Sequence, residues 1–105
     1  HINTEKTWRG GEQQLLNLLQ GLKKRNIISH LACQPGSPLE ERARNTGIDV
    51  FPIAMHGEGD LLASVRLRRI IAKFNYNIVH SHTSHAHNLA FFASVGIKNR
   101  LLYIS

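Results

Sequence analysis

Apolar positions along this chain switch between two periods. Leu15, Leu18, Leu19 and Leu22 recur at i, i+3, i+4 and i+7, the spacing of a helix with one buried face, and predict a helix over about residues 12–25. Lys23, Lys24 and Arg25 fall in its last turn, where cations suit the helix dipole. Short apolar runs at 1–4, 27–33, 48–53, 76–81 and 100–104 read as strands.

Two further helices carry their own punctuation. Ser37-Pro38-Leu39-Glu40 combines an N-cap serine, a proline in the first turn and a glutamate that completes a capping box, with Gly47 as the stop. Asp60 caps a helix to about Phe74, with Ala63, Leu67, Ile70, Ile71 and Phe74 on one face and Arg66, Arg69 and Lys73 on another. His56-Gly57-Glu58-Gly59 is a turn before it, and a fourth helix is expected from about Ser84 or His85 to Ser94, with Gly96 just past its end. The order β-α-β-α-β-α-β-α-β predicts an α/β fold: a doubly wound parallel sheet covered on both faces.

At 105 residues the chain has material for one small core. It starts without Met, inside a strand-like run, and ends inside another, so it reads as a piece of a larger protein. The formal charge of +6 favours anionic partners such as phosphorylated ligands or anionic lipid. Cys33 stands alone, which excludes an internal disulfide or a cysteine-based zinc framework and suits a reducing, cytoplasmic compartment. No apolar run reaches the length of a membrane-spanning helix, and no signal peptide is visible.

Two stretches carry candidate chemistry. Arg9-Gly10-Gly11-Glu12 lies between the first strand and the first helix. Adjacent glycines there permit positive φ and close approach of a ligand, and the helix N-terminus offers free N–H groups to an anion. Arg9 adds a fixed cation. The simpler reading is a turn that needs glycine for its geometry alone.

The second stretch is His80-Ser81-His82-Thr83-Ser84-His85-Ala86-His87, four histidines in eight residues. On a strand His80 and His82 share a face and Ser81 takes the other. His80, His82 and His85 approximate a metallohydrolase H-x-H-x-D-H motif, but Ser84 replaces its aspartate and no other acid lies near. The plain structural reading has these histidines bonding neighbouring loops. In a sheet of order 3-2-1-4-5, however, the strand order reverses between the first and fourth strands, where ligands of open α/β sheets bind. The loops 9–12 and 82–84 would then meet at one place.

Taken together, Thr7-Trp8-Arg9-Gly10-Gly11-Glu12, Pro35-Gly36-Ser37-Pro38-Leu39 and Ile78-Val79-His80-Ser81-His82-Thr83-Ser84-His85 resemble the N-terminal domain of family 4 glycosyltransferases. The likeness runs through essentially the whole chain and is nearest to bacterial enzymes of lipopolysaccharide or other cell-surface glycan synthesis. It implies a GT-B enzyme of two Rossmann-like domains, of which this chain is part of the N-terminal, acceptor-side one. The nucleotide-binding domain with its paired glutamates lies outside the sequence, so this piece alone is expected to be inactive.

The resemblance further implies a retaining transfer from a nucleotide sugar to a glycan or lipid-linked acceptor, with no metal and no other cofactor. It places Gly10 and Gly11 near the donor diphosphate and His82 near the transferring sugar. Arg9, Glu12, Thr83 and Ser84 complete the candidate binding set. The competing class is a non-catalytic module that binds anionic lipid or phosphorylated ligands through Arg66, Arg69 and Lys73, flanked by Arg68. Nucleic acid is disfavoured because no aromatics interleave with those charges. On a transferase, the same face would hold the enzyme peripherally at the inner membrane surface.

Overall fold

The computed structural model describes residues 1–8, 10–56, 60–82 and 102–104. Its elements run α1 (Gly10–Lys24), β1 (His30–Cys33), α2 (Pro38–Asn45), β2 (Asp49–Pro52), α3 (Leu61–Phe74), β3 (Ile78–His80) and β4 (Leu102–Ile104). The helix expected over 84–94, with His85 and His87, lies outside the described residues, as do Arg9, Thr83 and Ser84.

β1 pairs with β2 and β3 with β4, both in parallel. Ile2 joins the two pairs through parallel bridges to Ala32 and Ser81. Across the molecule the order is therefore β2, β1, Ile2, β3, β4, the doubly wound order expected from the alternation of periods. Ile2 holds the place of the first strand through these bridges. Its connections are well formed: Ile2 N–H donates to His80 O at 2.9 Å, His82 N–H to Ile2 O at 3.0 Å, and Asn3 N–H to Ala32 O at 3.0 Å.

The two faces bury separate clusters. One packs Ile2, Ala32, Ile53, Met55 and Val79 against Ala63, Leu67 and Ile71 of α3. The other packs Leu31, Cys33 and Ile48 against Leu15, Leu16 and Leu19 of α1 and Leu39 and Ala43 of α2. Ala32 faces one cluster while Leu31 and Cys33 face the other, as pleating requires. Helices on both faces are what a parallel sheet needs to hide its apolar surface.

The caps form as the sequence indicates. The Ser37 side chain accepts from Glu40 N–H at 3.2 Å, and the Glu40 carboxylate accepts from Gly36 N–H at 2.8 Å, one residue earlier than in a standard capping box. Asp60 accepts from Ala63 N–H at 3.0 Å. Gly47 adopts φ +77°, the left-handed stop that favours glycine.

Three expectations are corrected. α1 begins at Gly10 rather than near Glu12, and its buried stripe is Glu12, Leu15, Leu16 and Leu19. Leu18 is 39% exposed, because starting the inward face at Glu12 turns it away from the sheet. Both stripes share Leu15 and Leu19, so spacing alone does not separate them. Phe74 is 40% exposed at the end of α3, where its ring meets those of His30, Phe51 and Tyr76 instead of the core beneath the helix. Strands are shorter than their apolar runs: Ile27 and Ile28 are exposed, and pairing begins only at His30.

Candidate active site

Ile2 and β3 run in parallel, so both lead their chains out at the same edge of the sheet. The amide of His82, just past β3, is held by the carbonyl of Ile2. Thus the segment that leads to α1 and the segment that begins at His82 leave from adjacent places, where the strand order reverses.

Polar side chains brace this edge. Gln34, directly after β1 and 5% exposed, donates through its amide nitrogen to the carbonyls of Thr4 and Met55 and accepts from Met55 N–H at 2.9 Å. One side chain thereby ties together the segments following Ile2, β1 and β2. Buried Asn3 accepts from Glu5 N–H at 2.8 Å and shapes the chain leading to α1. Farther along, Trp8 lies under the Arg42 guanidinium of α2, 3.9 Å from the ring centre, a cation–π contact. Neither Gln34 nor Asn3 stands out in the sequence, since their partners depend on strand order.

Gly10 and Gly11 form the first turn of α1. Neither has positive φ, which among the described glycines occurs at Gly36 and Gly47. A Cβ built on either would meet nothing within 4 Å. Backbone conformation and packing therefore do not require glycine here, contrary to the positive-φ turn expected from the sequence. The first turn of α1 faces open space at both positions. Glu12 is 2% exposed and belongs to the buried stripe of α1.

His82 sits in a cluster of three imidazoles. Its ring stacks on His80, with centroids 4.0 Å apart and planes at 27°. Its Nε2 lies 3.0 Å from Nδ1 of His1, and the tautomers decide which nitrogen donates. Parallel pairing of Ile2 with Ser81 puts His1, His80 and His82 on one face and Ser81 on the other, where it is buried. His1 escaped notice in the sequence because its neighbours are set by cross-strand register.

Burial, and then the nearby His80, push the His82 imidazole below its ordinary value. His80 is lowered by burial. The main-chain nitrogen of His1 donates to His30 O at 2.8 Å. Near neutral pH His82 is an uncharged imidazole, able to accept a hydrogen bond or a proton from a hydroxyl.

Arg66, Arg69 and Lys73 are exposed along α3. Among the described residues, no helix is long and apolar enough to cross a membrane. A groove of about 290 Å³ opens at the opposite edge of the sheet, between Lys23, Asn26, Ile28 and Asp49, and takes no part in the His82 cluster.

The Glycosyltransferase Family 4 profile matches residues 8–102. The chain belongs to this family. Solved structures agree on the fold. A glycosyltransferase from Rickettsia africae superposes with a TM-score of 0.68 at 16% identity, over 97% of this chain and 28% of its own. MurG from Acinetobacter baumannii gives 0.74 at 12% identity, over 97% and 33%. Anabaena Alr3699/HepE, in complex with UDP, gives 0.73 at 13%, over 97% and 27%. The chain thus spans about a third or less of the length of these proteins. No curated protein matches the sequence significantly. The parallel α/β architecture is the Rossmann-like one of a GT-B half, as the sequence motifs implied.

Proposed function

We propose that this family 4 chain is part of the acceptor-side domain of a retaining glycosyltransferase, which moves a sugar from a nucleotide-sugar donor to a cell-surface glycan such as lipopolysaccharide. The observation that carries the reading is the hydrogen bond between His82 N–H and Ile2 O, which brings the exit of β3 beside the segment leading to α1. The donor class is supported by Anabaena HepE, whose structures hold UDP and UDP-glucose.

On this reading the open N–H groups at Gly10 and Gly11 face the donor diphosphate. Glycosyl transfer builds negative charge on that leaving group, and a helix N-terminus stabilises it without a metal. Arg9, Thr83 and Ser84 supply further donors from the two flanking loops, and Glu12 anchors the first turn of α1. The neutral His82 imidazole takes a hydrogen bond from a hydroxyl of the sugar or acceptor and fixes its position. The second domain, outside this sequence, binds the nucleotide, and the enzyme works in the cytoplasm, at the inner face of the membrane.

The test is transfer by the full-length protein from a panel of radiolabelled nucleotide sugars, UDP-sugars among them, to membrane-extracted glycan acceptors. Transfer that falls strongly in His82→Ala and stays unchanged in His56→Ala supports the reading. Absence of transfer with every nucleotide sugar, or equal activity of the two variants, overturns it.

A further inference from the structure

His1, His80 and His82 bring three imidazoles together on one face of the sheet. Their ligand-capable nitrogens all lie within 4.8 Å of one another, and each residue is half-buried, so solvent reaches the cluster. The backbone holds them in place: His1 is followed by the bridge at Ile2, His80 ends β3, and His82 is tied to Ile2 O. From these three residues and their shared face we propose that His1, His80 and His82 form a binding site for a divalent transition metal of the zinc class.

The chemistry suits that ion. Imidazole nitrogen is a preferred ligand of zinc, at about 2.0–2.1 Å. One pair of nitrogens, His1 Nδ1 and His82 Nε2, already stands 3.0 Å apart. Three protein nitrogens leave a fourth position for water or a ligand. Hard cations such as magnesium prefer oxygen donors, and among the described residues the cluster holds three imidazoles and no side-chain carboxylate. The site differs from the sequence-derived set of His80, His82 and His85: His1 supplies the third ligand from across the sheet.

The proposal stands apart from the transferase reading. If His82 also orients a sugar hydroxyl, bound metal withdraws it and slows transfer; metal binding that leaves transfer untouched counts against that role of His82 and not against the site.

The experiment is titration of Zn²⁺ into the metal-stripped full-length protein, followed by calorimetry and by histidine imidazole resonances. One ion per chain is expected, with the signals of His1, His80 and His82 shifting together. His1→Gln, His80→Gln and His82→Gln should each weaken binding at least about tenfold, while His56→Ala leaves it unchanged. Zn²⁺ should also raise the melting temperature of the wild type and not of the triple variant. The resonances give the answer on wild-type protein even where a variant fails to fold. No saturable binding, or shifts confined to other histidines such as His30 and His56, overturns the proposal.

Discussion

His82 and Ile2 are joined through the main chain, the amide of one donating to the carbonyl of the other at 3.0 Å. Because this bond is made by backbone, it survives replacement of the His82 side chain. His82→Ala in the full-length enzyme should therefore keep the fold and lose transfer by about 10²–10⁴ in rate, the usual loss for one well-placed polar or acid–base contact. Unchanged far-UV circular dichroism with a collapsed kcat is expected. A matched loss of fold and activity would assign His82 to structure.

The glycines at the head of α1 should show a trade between stability and activity. Gly10→Ala and Gly11→Ala meet no steric obstacle, because a Cβ at either has nothing within 4 Å. Helical alanine outdoes glycine by roughly 0.5–1 kcal/mol, so urea midpoints should rise or hold. Transfer should fall, since a methyl group now stands where the donor approaches. A variant both destabilised and fully active would contradict the role given to these positions.

Gln34 carries the bracing of the carboxyl edge. Gln34→Ala leaves the buried amide of Met55 and the carbonyls of Thr4 and Met55 without their side-chain partner. A cost of about 1–3 kcal/mol in urea unfolding is expected, the penalty for stranded buried polar groups. A change below a few tenths would mean that water replaces the side chain.

Two groups make pH and reactivity predictions. The Glu40 carboxyl is held below its ordinary value, first by the Gly36 amide and then by Arg44. Its folded pKa is depressed, so its contribution is present above the ordinary carboxylate range and is lost as pH falls through it; Glu40→Gln should flatten the acid limb of the stability curve. Burial, and secondarily Glu40, push the Cys33 thiol up to about 11. At pH 8 native Cys33 should react slowly with a disulfide reagent and rapidly once unfolded. Fast native labelling would show that this part of the core opens.

The exposed cations of α3 make a membrane prediction. Electrostatic attachment of Arg66, Arg69 and Lys73 to anionic lipid is worth about 1 kcal/mol per basic side chain and is screened by salt. Sedimentation of the full-length protein with anionic vesicles should weaken steeply with salt, vanish on neutral lipid, and drop when all three become Gln. Salt-insensitive binding, or no effect of the substitutions, would leave them as a solvated face.

Much of this was readable in the residues. Period switching predicted the alternation of elements and the parallel sheet, while Ser37, Glu40, Asp60 and Gly47 marked helix ends by chemistry that acts within a few residues. The H-x-H alternation correctly put His80 and His82 on one face. What escaped was set across the sheet. The facing of α1 toward Leu16 rather than Leu18 depends on which side of the helix meets β1. His1 and Gln34 acquire their partners only through register, which single-strand patterns do not encode. Gly10 and Gly11 were noticed for the wrong conformational reason: they are helical, and neither has positive φ.

The most direct test of a joint site at the order reversal is an amide and imidazole NMR titration of the full-length protein with UDP-glucose. The Gly10 and Gly11 amides and the His82 imidazole should shift together and fit one dissociation constant. Shifts at Gly10 and Gly11 without His82, or at neither, would contradict the single site on which the proposed transfer depends.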